Sequence, residues 1–192
     1  FVPSLLGAVL LWDFLSRVLQ GVTISFFEDV WSRNLLNVFS TPLKISEYLT
    51  GLVLSSLLTS SVGLFVMLIL ATGVFGLSFA TYGVMFIPFI MILFLFGIAL
   101  GIGATAMVLR LGPASEWFVW PIPALLSPLT GVFYPLSTLP TWMQTLASVL
   151  PPTYVFESMR AIIAGNTNVI SLLIIGFSLS ITMVIVGLIN NV

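Results

Sequence analysis

Three long stretches of the sequence, 48–109, 117–156 and 161–192, contain no charged residue at all. Ordinary soluble domains are roughly 25% charged, whereas only 6% of these 192 residues are charged and 59% are hydrophobic. So few polar side chains cannot cover the surface of a globule in water. The sequence therefore predicts an integral membrane protein.

The charge-free stretches divide into segments that are long enough to cross a bilayer. A helical span needs about 20 apolar residues for a hydrocarbon core of roughly 30 Å. The stretch 48–109 holds two spans, separated by turn-forming residues between Gly73 and Gly83. The segments are continuously apolar and do not alternate, which excludes a β-barrel and favours helices. We predict an all-α transmembrane domain over 1–192, with five spans at 3–25, 48–73, 83–109, 114–135 and 168–190.

The composition excludes several kinds of chemistry. The chain has no Cys and no His, so disulfides, thiolate nucleophiles, Ser-His-Asp triads and the usual zinc sites are absent. A net charge of −1 leaves no basic face for nucleic acid. We predict no catalytic residue, no bound cofactor and no metal ligand. The chain begins at Phe1 inside an apolar stretch, which predicts that its natural N-terminus is missing and that it has no signal peptide.

The few basic residues predict the orientation in the membrane. Arg33 and Lys44 precede two spans, and Arg110 follows them, so all three lie on one side, whereas Arg160 lies on the other. Positive residues favour the cytoplasmic side, which places 26–47 and 110–116 there. The prediction is a multi-pass protein of a cell (inner or plasma) membrane, bacterial in origin and in contact with lipid.

The cytoplasmic segment 26–40 is predicted to be a separate amphipathic helix. Ser25 and Glu28 match a capping box, and Pro42 disfavours helix at Thr41. Such a helix of about 15 residues is roughly 22 Å long and too short to span. Leu36 points to its polar side and is typical of a residue that docks into a partner. The alternative is a plain interfacial helix. Its apolar face carries Phe27, Val30, Trp31, Leu35, Val38 and Phe39.

The segment 138–164 is predicted to form two short helices. The first has Pro140 in its first turn, and the second begins near Pro152 and ends at Gly165. Each is too short to cross, so we predict a re-entrant hairpin or cap on the non-cytoplasmic side. Glu157 and Arg160 are three residues apart and can pair on the second helix.

The span that precedes this hairpin carries three prolines, Pro121, Pro123 and Pro128. Each proline removes a backbone donor and tends to kink a helix. A kinked span that leads into a broken hairpin is typical of a gate, and static packing is the alternative interpretation. Glu116 sits at the start of this span, where a carboxylate suits the positive helix end, and is predicted to be structural.

Two charged residues fall inside the first predicted span. Asp13 and Arg17 are four residues apart and can form an intrahelical ion pair. The pair is either a polar contact at a dimer seam or pathway, or a self-neutralised pair that faces protein. Spans 48–73, 83–109 and 168–190 carry no charge, which argues against a proton- or sodium-coupled carrier.

With these segments in order, the chain resembles the ABC-2 family of ABC-transporter permeases. The stretch from Glu28 reads EDVWSRNLLNVFSTPL, and Glu47 and Gly51 follow it. This stretch is similar to the family's coupling-helix region. The stretch from Ser127 reads SPLTGVFYPLSTLPTW and is similar to the exit of the fifth span. The resemblance covers essentially the whole chain and implies six spans, of which the first is missing.

The resemblance implies roles for two sets of residues. It makes 26–40 a coupling helix that docks on a separate ATPase, and 138–164 a pair of outer helices. The predicted coupling residues are Glu28, Trp31, Arg33, Leu35, Leu36, Pro42 and Leu43. The predicted outer-gate residues are Gly131, Tyr134, Pro135, Pro140, Glu157 and Arg160.

The resemblance also implies that transport and ATP hydrolysis are carried out by different subunits. The chain has no GxxxxGK[ST] phosphate-binding loop, so it is predicted not to be an enzyme, and ATP and Mg²⁺ are expected on the partner ATPase. A second permease copy or a homologue is the other expected partner. The predicted function is export of an amphiphilic small molecule, a lipid or a lipid-linked glycan from the cytoplasm. The alternatives are a gradient-driven carrier or channel fragment and, less well supported by the composition, a membrane-embedded enzyme.

Overall fold

The computed structural model of the chain describes residues 2–34, 37, 40–76, 79–166 and 168–191. Within these ranges it describes all side chains except those of 2–4, 45, 46, 75, 80, 81, 190 and 191. The described part is helical and contains no strand. Its α-helices are α1 (Val2–Trp31), α2 (Ile45–Phe75), α3 (Phe86–Leu111), α4 (Ile122–Leu126), α5 (Thr141–Ala147), α6 (Pro151–Ile163) and α7 (Ile170–Asn191). Three 3₁₀ helices lie at Phe79–Met85, Pro113–Phe118 and Leu136–Thr138.

Four helices of the described residues are long and apolar enough to cross a membrane. They cover Leu5–Trp31, Glu47–Val74, Tyr82–Leu111 and Ile170–Ile189 and overlap four of the five predicted spans. Helix α1 has 30 residues, which is about 45 Å at 1.5 Å per residue. This length exceeds the hydrocarbon core of roughly 30 Å, so α1 extends beyond the core.

The segment 114–135, which the sequence predicts to be a kinked span, does not form one continuous α-helix. A 3₁₀ helix over Pro113–Phe118 and the five-residue α4 are followed by turns. The physical reason is the three prolines, which lack an N–H and therefore interrupt the ladder of helical hydrogen bonds. Hydropathy alone does not distinguish a broken apolar segment from an intact one.

No helix begins at Ser25, and the predicted capping box there is wrong. Helix α1 continues through Ser25 to Trp31, and the Ser25 hydroxyl donates to the carbonyl of Gly21 at 3.1 Å. A serine inside a helix bonds back to its own turn and cannot cap a new one. The chain then turns at Arg33, which has φ +55°. Of the rest of the predicted helix 26–40, residues 37 and 40 are helical, and Leu35, Leu36, Val38 and Phe39 lie outside the described residues.

Helices α1 and α3 approach each other closely because of two glycines. A Cβ atom at Gly97 would lie 2.7 Å from Val18 Cγ1, and one at Gly101 would lie 2.8 Å from Val22 Cβ. Small residues four apart let helix backbones pack tightly in a membrane, where helices gain no hydrophobic energy by associating. Ser56 of α2 donates its hydroxyl hydrogen to the carbonyl of Val18 at 2.8 Å, which holds α2 on the neighbouring side of α1.

The core has two parts that define the two ends of the molecule. A small cluster joins the end of α1, the start of α2, the end of α3 and Val119, through Phe26, Phe27, Leu52, Ala104 and Val108. The main cluster joins α1, α3, α6 and α7 and also includes Leu64 of α2. Position 7 of α1 lies near Tyr82 and Met159 at the far end. The segments that carry Arg33, Lys44 and Arg110 therefore lie at one end, and Arg160 lies towards the other.

Candidate functional site

Arg160 of α6 ties together the loop that follows the broken segment. Its Nη1 donates to the carbonyl of Gly131 at 2.6 Å, and its Nη2 donates to Oε1 of Glu157 at 2.8 Å. The same Oε1 accepts the backbone N–H of Leu136 at 3.0 Å. Helix α6 thus holds the loop at two backbone positions. We call Gly131, Tyr134, Pro135, Glu157 and Arg160 the Arg160 cluster.

The loop within the Arg160 cluster is tightly closed. Gly131 has φ +70°, and a Cβ there would lie 3.0 Å from Arg160 Nη2 and 3.2 Å from the carbonyl oxygen of Tyr134. The Tyr134 hydroxyl donates to the carbonyl of Pro128 at 2.7 Å. Pro135 is extended, with ψ 146°, and leads into the 3₁₀ helix over Leu136–Thr138. The conformation of the loop therefore depends on the glycine and on the guanidinium beside it.

Five of the six predicted outer-gate residues belong to this cluster, and the sixth does not. Pro140 has ψ 151° and precedes α5 as its N-cap residue, outside the hydrogen bonds of the cluster. The Glu157 and Arg160 side chains are 33% and 26% exposed. Arg160 Nε is buried and makes no hydrogen bond to any described group, so the guanidinium is held on two of its three nitrogens.

An apolar cavity of about 310 Å³ lies beside the Arg160 cluster. Its volume is at the lower end of the range for small-molecule pockets, which is about 300–1,000 Å³. It is a half-open cavity between the first turns of α1, the loop and α6, and its walls include Leu5, Ala8, Val132, Phe156, Met159 and Arg160. A displacement of the loop would change the shape of this cavity.

A second group of polar contacts lies at the opposite end of α1. Trp31 Nε1 donates to Oε2 of Glu116 at 2.8 Å, and the Tyr48 hydroxyl donates to Oδ2 of Asp29 at 2.8 Å. Asn34 Nδ2 donates to Oδ1 of Asp29 at 3.2 Å. We call Asp29, Asn34, Trp31, Tyr48 and Glu116 the Trp31 cluster. It ties the end of α1 to α2 and to the 3₁₀ helix over Pro113–Phe118.

The predicted coupling residues that the structure describes are all exposed. They lie at the Trp31 end of the molecule, and we call this set of exposed residues the 28–43 face: Glu28, Trp31, Arg33, Pro42 and Leu43. Leu35 and Leu36 lie outside the described residues. The sequence pattern did not predict the contacts of Asp29 and Tyr48, and it predicted a structural role for Glu116. A carboxylate beside an apolar run is only a weak indication of a contact between helices. No spacing rule predicts contacts between residues 19 positions apart, such as Asp29 and Tyr48, or 85 positions apart, such as Trp31 and Glu116.

Asp13 and Arg17 form an ion pair midway along α1. Arg17 Nε and Asp13 Oδ2 are 2.6 Å apart, and the two side chains are 46% and 36% exposed. The Arg17 stem lies over Gly63 of α2, where a Cβ would be 3.3 Å from its Cδ. The pair is thus open to the surface of the single chain. Charged groups at the depth of the hydrocarbon core almost always face protein or a water-filled cavity rather than lipid.

The four long apolar helices, packed through glycines, define a multi-pass integral membrane protein. More narrowly, the chain belongs to the ABC-2 type transporter family, whose model matches residues 3–164. This match confirms the resemblance found in the sequence, and it makes the chain an ABC-transporter permease, a class of domain that generally pairs with an ABC ATPase subunit. A search of curated proteins finds no match, and a search of solved structures finds none either.

Proposed function

We propose that this chain is the permease subunit of an ATP-driven exporter whose separate ATPase subunit docks on the 28–43 face. The observation that carries the proposal is the exposure of Glu28, Trp31, Arg33, Pro42 and Leu43 at the end that also carries Lys44 and Arg110. Positive residues favour the cytoplasmic side of a membrane, where ATP is available. ATP and Mg²⁺ are bound and hydrolysed on the partner, because this sequence has no phosphate-binding loop of the GxxxxGK[ST] type.

The translocation pathway runs along the seam between this chain and a second permease copy or a homologue. The support for this is the ion pair of Asp13 and Arg17, which is open to the surface at mid-span. Gln20, one turn further along α1, is exposed as well. Polar groups at this depth need a protein or water-filled surrounding, and a second permease subunit provides one.

The substrate class that fits this arrangement is an amphiphile. The cavity beside the Arg160 cluster is mainly apolar and has one guanidinium in its wall, and pockets of this composition hold apolar ligands with a few oriented polar groups. We propose that the transporter moves an amphiphilic small molecule, a lipid or a lipid-linked glycan out of the cytoplasm, across a bacterial inner membrane.

The experiment that tests this proposal is co-purification of the full-length protein in detergent, followed by reconstitution into liposomes. We expect an ATPase to co-purify and its turnover to change when the permease is present. Leu43→Asp places a charge on the 28–43 face and should abolish the association. Val149→Asp is the matched control, because Val149 is also exposed but follows α5. Transport that continues with no ATPase would instead favour a gradient-driven carrier or channel.

A further inference from the structure

The broken segment between α3 and α5 is held at both of its ends by polar side chains. At the near end, Glu116 accepts the indole N–H of Trp31 at 2.8 Å. At the far end, the carbonyl of Gly131 accepts from Arg160 at 2.6 Å. The two contacts join the segment to α1 and to α6 respectively. We call residues 113–136 the strut.

The strut runs alongside α1 over the depth of a bilayer. Its residue Val119 packs with Phe27 near the end of α1, whereas Val132 lines the cavity together with Ala8 near the start of α1. From Ala8 to Phe27 is roughly 28 Å along a helix, which is close to the thickness of the hydrocarbon core. The strut therefore connects the Trp31 cluster to the Arg160 cluster.

The strut is a series of short helical turns joined by backbone hydrogen bonds, such as the one from Ser127 N to the carbonyl of Pro123 at 2.9 Å. Pro121, Pro123 and Pro128 interrupt its helical hydrogen bonds, and α4 between them has only five residues. Interrupted helices bend at the interruptions. Because backbone hydrogen bonds join its successive turns, a displacement at Glu116 is carried along the strut to its far end beside α6.

The contact at the far end is sensitive to a small displacement. The Arg160–Gly131 distance is 2.6 Å, and a separation of about 3.6 Å is no longer a hydrogen bond. A shift of about 1 Å along this direction therefore breaks the contact and releases the loop. The glycine conformation and the Glu157 contact to Leu136 depend on the same loop position.

We propose that Glu116 is a positioning residue that passes movement of the ATPase-docking end to the Arg160 cluster through the strut. The inference rests on the proposed function, because the movement begins at the 28–43 face. Trp31 belongs to that face and also contacts Glu116, so it is the residue through which the displacement enters the strut. The indole is kept in place by Phe27, whose ring centroid is 6.0 Å away.

The test compares four variants of the full-length protein in the reconstituted complex: Trp31→Phe, Glu116→Leu, both together, and Glu116→Gln. Phenylalanine removes the indole donor, and leucine removes the acceptor. Glutamine keeps an acceptor oxygen but loses the charge. We expect Trp31→Phe and Glu116→Leu each to lower transport per ATP hydrolysed about tenfold. This factor corresponds to the free energy of about one charge-assisted hydrogen bond. The double variant should be no worse than the single ones, because both remove the same contact, and Glu116→Gln should retain most of the coupling.

A second readout follows the far end of the strut directly. Because the chain contains no Cys, Phe133→Cys introduces one exposed thiol next to the Arg160 cluster. We expect its labelling rate with a water-soluble maleimide to change when nucleotide is added, and this change to disappear with Glu116→Leu but not with Glu116→Gln. Val149→Cys is the control outside the strut and should not respond.

The outcomes separate the two proposals. Suppose that the ATPase associates and that transport is ATP-driven. The inference is then wrong, and Glu116 has only a structural role, if the transport losses of the two single variants multiply in the double variant. It is also wrong if Glu116→Gln impairs transport as much as Glu116→Leu does. An unchanged nucleotide response of Phe133→Cys in the Glu116→Leu background also overturns it. If no ATPase associates with the wild-type protein, the proposed function itself fails, and this inference fails with it.

Discussion

The Arg160 guanidinium donates to the carbonyl oxygen of Gly131, which lies 29 residues earlier in the chain, at 2.6 Å. This single contact joins α6 to the loop that ends the broken segment. Gly131 has a positive φ of 70°, a conformation that residues with a side chain avoid. The arginine and the glycine therefore determine the loop conformation together, and substitutions can test the contribution of each.

Gly131→Ala should destabilise the protein by about 1–2 kcal/mol, because alanine is strained in the left-handed region and its Cβ would meet Arg160 Nη2 at 3.0 Å. Gly76→Ala is the matched control, since Gly76 has a similar φ of 63° but open space around it. Thermal unfolding in detergent should show a larger loss for Gly131→Ala. Equal losses would mean that the contact with Arg160 adds nothing to the backbone strain.

Glu157 supports the loop through an acceptor oxygen as well as through its charge. Glu157→Ala removes both contacts of Oε1 and should cost about 2 kcal/mol of unfolding free energy. Glu157→Gln keeps an oxygen for the Leu136 N–H and should cost about half as much. Glu28→Ala removes an exposed carboxylate at the other end and should leave the melting temperature nearly unchanged. If the glutamine variant were as unstable as the alanine variant, the ion pair would outweigh the backbone contact.

Two glycines on α3 test the close packing of α1 against α3. Gly101→Ala would place its Cβ 2.8 Å from Val22, so the helices must move apart, and overpacking of this kind typically costs 1–3 kcal/mol. Gly103→Ala changes the same helix two residues later, where an added Cβ would meet no other part of the protein within 4 Å, and should be neutral or slightly stabilising. The comparison is made by thermal unfolding. Similar effects of the two substitutions would contradict the tight α1–α3 contact.

The ion pair on α1 predicts that loss of one charge is worse than loss of both. Asp13→Asn leaves Arg17 unpaired inside the membrane, and Arg17→Gln leaves Asp13 unpaired. A lone charge at the centre of a span costs about 2.5–3.5 kcal/mol on insertion scales. We expect both single variants to insert poorly, as measured by the membrane-extracted fraction, and the double variant to recover. Poor insertion of the double variant would mean that the pair has a role besides mutual neutralisation.

The elements that were predictable from the sequence are those governed by local rules. The pairs Asp13–Arg17 and Glu157–Arg160 form as expected, because residues three or four apart lie on the same side of a helix. The helices α5 and α6 fall within the predicted segment 138–164. The break in the segment 114–135 was signalled by its prolines, but its apolar composition favoured a span. The helix start at Ser25 was misplaced because a capping pattern is also compatible with a helix interior.

The amino-acid sequence by itself determined that this chain lies in a membrane, because six charged residues per hundred cannot cover a soluble surface. It also determined where the long helices run and to which family the chain belongs. Only the tertiary structure decided that Trp31 forms a hydrogen bond with Glu116, 85 residues later in the chain. The same holds for the hydrogen bond between Arg160 and Gly131, which are 29 residues apart. The physical reason is that contacts between helices depend on how the helices pack, here through glycines such as Gly97 and Gly101. No local spacing rule contains that information.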